Sequence, residues 1–179
     1  LQSCTSGVLA VSGDDGYPYA VPLSYAYEDG KIYFHFATEG HKLDAIKRND
    51  KVSFCVIHTD EVIQETFTTQ YRSVIVFGRA RILRDDSEKR RALECLVKKY
   101  SPDFISEGTA SIERNWDKFC AGELRVEHLT GKAAKSRTLL LTAIDYLLIY
   151  CGKEEMNMAK ELLLKYGCNP NQKPARIYM

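Results

Sequence analysis

No CxxC pair, no GxGxxG or Walker loop and no GxSxG elbow occurs anywhere in the chain. The local signatures of dithiol redox centres, dinucleotide-binding turns, P-loops and serine hydrolases are therefore missing. One-sided charge is missing too: 25 Lys and Arg oppose 24 Asp and Glu, a formal net charge of +1. A chain so balanced projects no global field toward nucleic acid or an anionic bilayer, and neither partner is expected. Long hydrophobic runs are also absent. The longest, Leu139 to Tyr150, contains Thr142 and Asp145 and is too short to span a membrane. Nor does the sequence open with a basic-then-apolar leader. Its six cysteines, at 4, 55, 95, 120, 151 and 168, make no zinc-ligand spacing with histidine, so no metal site is expected. Cys55 and Cys95, set among apolar neighbours, read as small hydrophobes in a reducing cytoplasm.

What the chain does contain is aromatic residues in period-two patterns. Eleven Tyr and seven Phe accompany a hydrophobic fraction of 45% in 179 residues, enough for one domain with an appendage. Val8–Ser12 reads as a strand closed by the turn Gly13-Asp14-Asp15-Gly16. Tyr19–Tyr27 alternates strictly, with Tyr19, Val21, Leu23, Tyr25 and Tyr27 on one face and Ala20, Pro22, Ser24 and Ala26 on the other. A hairpin signal at Asp29-Gly30 leads into a returning strand, Lys31–Thr38, and then a short helix, His41–Arg48. Val52–His58, Ser73–Leu83 and Glu123–Leu129 are further strands. Ser87–Tyr100 is a well-formed helix, and a short helix is expected around Ile112–Phe119. Two more helical patterns, Thr138–Tyr150 and Lys153–Tyr166, follow Gly131. The expected fold is mainly β, α+β: a small antiparallel barrel of about six strands over residues 1–135, with a helical extension over 136–179 packed on the barrel or on a partner subunit.

Two features suggest chemistry. The face bearing Ala20, Pro22, Ser24 and Ala26 is small enough for a planar ring to approach the backbone, and Pro22 interrupts regular pairing. A proline at an edge or bulge, with no ligand, explains the same pattern. Thr38-Glu39-Gly40-His41-Lys42 offers a hydroxyl, a flexible glycine and a cation at a helix start, which suits a terminal phosphate or serves as an ordinary helix cap. Arg72-Ser73 would add a second cation and hydroxyl. His35 alternates with Tyr33 and Ala37, opposite Ile32, Phe34 and Phe36, and reads either as a proton donor near a ligand or as a satisfied strand histidine. His58 and His128 read as structural. Trp116, the single tryptophan, reads as a core anchor or a pocket cover.

In combination, GYPYAVPLSYAYEDGKIYFHFATEGHKLDAI, YRSVIVFGRARIL and ELRVEHLTGK resemble the nitroimidazole-resistance (Nim-type) flavoproteins of the pyridoxamine 5′-phosphate oxidase-like superfamily, over roughly residues 7 to 135. The resemblance implies the FMN-binding split-barrel fold and a homodimer with two flavins at the subunit interface. It implies that Pro22, Leu23, Ser24 and Tyr25 run along the flavin ring. Thr38, His41 and Lys42 would hold its phosphate, Arg72 and Ser73 would complete that site, and Trp116 would help close the pocket. His35 would meet a small-molecule acceptor such as a 5-nitroimidazole. FMN is the expected cofactor, with FAD if the 136–179 extension reshapes the pocket. A flavin- or haem-binding carrier or sensor is the rival expectation. The arginine-led strand motif of true pyridoxamine phosphate oxidases is missing, which argues against that reaction.

Overall fold

Apolar residues at every second position place one face of each strand in a common interior. The computed structural model describes residues 1–134, which make seven strands and three helices. The strands are β1 (Ser6–Ser12), β2 (Pro18–Ser24), β3 (Ala26–Glu28), β4 (Lys31–Ala37), β5 (Lys51–Ile63), β6 (Thr68–Leu83) and β7 (Phe119–Ala133). The helices are α1 (His41–Arg48), α2 (Asp86–Tyr100) and α3 (Ile105–Arg114). All pairings are antiparallel, in the order β2-β1-β5-β6-β7-β4-β3. The sheet curls but does not close, the α+β split-barrel arrangement expected from the sequence. The helical patterns at Thr138–Tyr150 and Lys153–Tyr166, and the 136–179 extension they belong to, lie outside the described residues.

Inside the curl, Leu9 and Val11 meet Ile32, Phe34 and Phe36 of β4, Phe54 and Val56 of β5, and Leu124 of β7. Each such side chain contributes roughly 1.5–3 kcal/mol by leaving water. Leu43 and Ile46 of α1 plug one end. A second cluster forms on the outside, where Leu93 and Leu96 of α2 and Ile112 of α3 cover Ala26, Tyr33, Leu83 and Ala121. Asp85 caps α2, its carboxylate accepting the Ser87 and Glu88 N–H groups at 3.0 and 3.1 Å. Arg81 then bonds Glu88 at 2.7 and 2.8 Å and the buried Glu123 at 2.9 Å, tying that helix start to β6 and β7.

Three expectations need correcting. Tyr19–Tyr27 is not one strand. Ser24 pairs with Ser6 of β1 and Ala26 with Tyr33 of β4, so the chain changes partners at Tyr25. Alternation fails at that point: Tyr25 and Ala26 are both buried, in different clusters. The break is held by side chains. Tyr100 Oη accepts the Tyr25 N–H at 2.9 Å and shares its one proton between the Thr5 and Tyr25 carbonyls. Lys99 Nζ donates to the Tyr25 and Cys4 carbonyls at 2.8 and 2.6 Å and sits 3.8 Å from the Tyr25 ring centroid.

The helix expected around Ile112–Phe119 comes earlier, at Ile105–Arg114, followed by a 3₁₀ turn at Trp116–Lys118. The apolar residues needed to dock it are few and spaced unevenly, so periodicity placed it late. Finally, β5 and β6 run past the barrel as a long hairpin to Ile63 and Thr68, with a bulge between Ile57 and Thr59. The polar residues there satisfy a two-stranded ribbon but carry no core pattern. A second bulge, between Phe77 and Gly78, needs glycine because a Cβ at 78 would meet Arg125 O at 2.0 Å.

Replacing Tyr100 by Phe strands the buried Tyr25 N–H and should lower unfolding stability by about 1–3 kcal/mol, read as a reduced urea midpoint with an unchanged slope.

Candidate functional site

The open edges of the sheet face each other across a slit. β2 is hydrogen-bonded only to β1, and β4 pairs with β3 only at Lys31, Ile32 and Tyr33. Phe34 to Ala37 therefore carry an open edge on that side, opposite β2, whose Cα atoms come within 8 Å of β4. Within β2 the alternation is as the sequence requires: Ala20, Pro22 and Ser24 are exposed, while Tyr19, Val21 and Leu23 turn inward. Pro22, lacking an N–H, occupies this edge strand opposite Val8. Tyr25 differs from its neighbours. Its ring is fully buried, its hydroxyl donates to Leu1 O at 2.6 Å, and burial pushes its pKa up.

One end of the slit meets the start of α1. Thr38, Glu39 and Gly40 are exposed, and Gly40 takes φ 133°, ψ 163°, a conformation open to glycine alone. No side chain caps the helix, so its first N–H groups point outward, where the helix dipole favours an anion. His41 sits against Tyr19 of β2 at 4.4 Å between centroids, and its Nδ1 lies 3.2 Å from Asp14. Arg48, further along the helix, also pairs with Asp14, at 2.6 Å. Lys42 is half-buried, 5.9 Å from the Phe36 ring centroid.

His35 stands on the outer face of β4 beside this helix start, its ring 6.1 Å from that of Phe119 in an edge contact. Desolvation first, and the Lys42 charge second, hold its pKa below the ordinary 6.5. The imidazole is therefore neutral at pH 7, offering one N–H donor and one lone pair. Thr38, His41 and Lys42 thus gather at the start of α1, with Tyr19 of β2 against His41 and His35 of β4 within reach of the Lys42 charge.

Arg72 and Ser73 do not join them within one chain. Arg72 pairs with Ala133 at the far end of β7, whereas Ala37, which leads into α1, pairs with Phe119 at its beginning. The fifteen residues of β7 separate the two places by on the order of 45 Å of extended chain. Arg72 and Ser73 instead line a cleft of about 250 Å³ with Leu1, Cys4 and His58. His58, read from sequence as structural, is the extra residue at the β5 bulge, its Nδ1 2.8 Å from Thr59 Oγ1. A bulge leaves no periodic signal, so nothing in the sequence marks His58 as a neighbour of Arg72. Trp116 is half-buried against the second cluster, with Lys89 Nζ 4.3 Å and Arg90 5.0 Å from its ring, and Lys89 donates to its carbonyl at 2.6 Å. Here it anchors the end of α3 to α2. Among the described residues there is no cluster of metal-ligating side chains, and no helix is long and apolar enough to cross a membrane.

An open antiparallel barrel, slit between two edge strands and closed at one end by an uncapped helix start, defines a split-barrel protein. The chain belongs to the family described as pyridoxamine 5′-phosphate oxidase, which it matches over residues 1–133. No curated protein sequence matches it. Among solved structures it is similar to a candidate 5-nitroimidazole antibiotic resistance protein from Bacteroides thetaiotaomicron, with 23% identity, TM-score 0.60, and 72% of this chain and 76% of that one covered. A conserved hypothetical protein from Mycobacterium tuberculosis gives 21% identity, TM-score 0.62, and 73% and 78% coverage. The FAD and heme binding protein of Mycobacterium smegmatis gives 20%, 0.62, and 78% and 72%. These likenesses confirm the fold.

Because the Lys42 charge helps depress the His35 pKa, Lys42→Met should move the His35 titration upward toward 6.5, as followed by NMR of its ring protons.

Proposed function

We propose that this protein binds a flavin in the slit between β2 and β4 and uses it to reduce a small acceptor. The observation that carries the reading is the contact of β2 with the uncapped helix start bearing Lys42, His41 against Tyr19, on a strand whose other face carries the small residues Ala20, Pro22 and Ser24. A flat ring system needs close backbone approach and free backbone donors and acceptors, which Ala20, Pro22, Ser24 and the open edge of β4 offer. A terminal phosphate needs N–H groups and a cation, which Gly40 to Lys42 offer. FMN satisfies both, and FAD carries the same half. The flavin supplies the redox chemistry, taking electrons from a donor and passing them to the acceptor. The chain's own residues orient, exclude water and handle protons.

His35 is our choice for the residue that touches the acceptor. Neutral at pH 7, it presents a hydrogen bond rather than a charge, kept so by desolvation first and the Lys42 charge second. A nitro-group acceptor of the 5-nitroimidazole kind accepts such a bond, and the fold of the Bacteroides protein supports this choice of substrate class. The setting is a reducing cytoplasm, consistent with the free cysteines 4, 55, 95 and 120.

A second copy of the chain completes the site in this reading. Pro22, Val8, Cys55, Ile75 and Thr130 lie in register across the outer sheet face, flanked by Ile57 and Phe77, which are 60% and 45% exposed. Covering that face in a two-fold homodimer would bring Arg72 and Ser73 of one copy toward the slit of the other, and Trp116 toward its mouth. A carrier or sensor of flavin or haem is the competing reading. It is favoured by the neutral, exposed His35, a group able to ligate haem iron.

Purified protein should show flavin absorption and release FMN or FAD on heating; a protein that stays colourless after incubation with both overturns the proposal. Lys42→Met should weaken FMN binding by roughly tenfold or more. His35→Ala should keep full flavin occupancy yet slow acceptor reduction by roughly a hundredfold, measured anaerobically with a nicotinamide donor. Bound flavin that no such donor reduces points instead to the carrier.

A further inference from the structure

The outer face of β4 and the first residues of β7 form a ledge beside the start of α1. Antiparallel register makes Ala37 the direct partner of Phe119, and His35 the direct partner of Ala121. Direct partners and alternate residues share a face, so these four side chains stand together on it. Two are rings and two are methyl groups, placed on opposite diagonals. The rings meet along theirs: His35 and Phe119 lie 6.1 Å apart between centroids, at an interplanar angle of 75°. The methyl groups differ in their cover. Ala121 is wholly buried under α2 and α3, whereas Ala37 is exposed. The helical cover thus ends at Phe119, and the sheet surface steps down from that ring to a bare methyl group.

Phe119 is a firm wall for this ledge. It is half-buried against the cluster under α2 and α3, and Lys89 Nζ lies 5.5 Å from its ring centroid. Lys89 is held in turn, 4.3 Å from the Trp116 ring centroid and donating to the Trp116 carbonyl at 2.6 Å. A ring fixed in advance loses little freedom when a ligand stacks on it. The neighbouring charges are of both signs. Exposed Glu39 and half-buried Lys42 follow Ala37 in the chain, while exposed Asp117 and Lys118, the latter bonded to Asn115 at 3.1 Å, precede Phe119. Such a mixture favours a neutral ring over a strongly charged ligand. The ledge is clear of the face assigned above to the second copy. Phe119 opens β7, whereas Phe77 and Ile75 of that face pair with His128 and Thr130 further along it. It also adjoins the slit, because Phe34 to Ala37 carry the open edge of β4.

We propose that the ledge over Ala37 is the subsite for a planar aromatic acceptor, stacked against Phe119 with its polar substituent toward His35. An electron-poor ring such as a nitroheterocycle suits a phenyl wall, because the face of the phenyl carries the negative end of its quadrupole. Phe119 then selects ring acceptors by contact, and the small side chain at Ala37 leaves them room. The choice of a reducible ring rests on the flavin reading above; the ledge and its preference for flat ligands do not.

The test titrates an N-methylated 5-nitroimidazole into the oxidised protein and follows the Ala37 methyl and His35 ring resonances by NMR. Wild type, Phe119→Leu and Ala37→Leu are compared, the His35 ring alone reporting in the last. Both resonances should shift saturably in the wild type. Phe119→Leu should weaken binding by about threefold to tenfold. Ala37→Leu, at an exposed position whose replacement leaves the core intact, should weaken it by roughly tenfold or more through overfilling. Flavin absorption per chain should stay unchanged in both variants, while KM for the nitro acceptor rises in step with Kd. Wild-type resonances that ignore millimolar probe, or two variants that bind it as the wild type does, overturn the proposal; if the protein is flavin-loaded, the flavin reading survives. Shifts that both variants weaken, in a protein that takes no flavin, keep the ledge and remove the flavin reading.

Discussion

Everything in this molecule turns on the switch of partners at Tyr25. Up to Ser24 the chain is an edge strand against β1; from Ala26 it is an edge strand against β4. A continuous strand there would have zipped the two edges together and closed the barrel. The peptide groups released by the switch cannot stay bare in a buried place. Tyr100 and Lys99, at the end of α2, take them over, and the same two residues hold the Cys4 and Thr5 carbonyls of the N-terminal segment. A helix thus substitutes for the missing ladder, and the slit beside β4 is what the substitution leaves open.

Electrostatics at the slit follow the same economy. Desolvation of Lys99 lowers its pKa, an effect tolerated because its three donors find carbonyls and an aromatic face. At the other end, Asp14 draws His41 and Arg48 to one side of α1 and leaves Lys42 facing the slit and His35. Cys95, buried beneath α2, donates to Glu28 at 3.3 Å, and burial pushes its thiol up to about 11. That cysteine is inert packing, as its apolar neighbours in the sequence suggested. Cys55 sits elsewhere: alternation along β5 turns it, half-buried, to the outer face in line with the apolar Val8 and Ile75.

Much of this was legible beforehand. Period-two patterns found the strands, and the α1 bounds came out as read. The exposed run Ala20, Pro22, Ser24 and the loop Thr38 to Lys42 could be picked out because small residues, glycine and cations leave plain marks. Tyr25 misled, since its apolar character fits the inward set equally well whether the strand continues or breaks. The meeting of His58 with Arg72 was not legible, for a bulge and an extended ribbon carry no hydrophobic period.

The sequence by itself determined which residues face inward along most of the strands and where the exposed loop Thr38 to Gly40 opens α1, because side-chain direction is a local property of backbone period. The tertiary structure alone decided that the barrel stays open, that Arg72 stands at the opposite end of β7 from Lys42, and that Phe119 meets His35 across β4 and β7. Those outcomes depend on register between strands distant in the chain and on who satisfies a backbone group when pairing stops. Neither is written in the spacing of residues along a single segment.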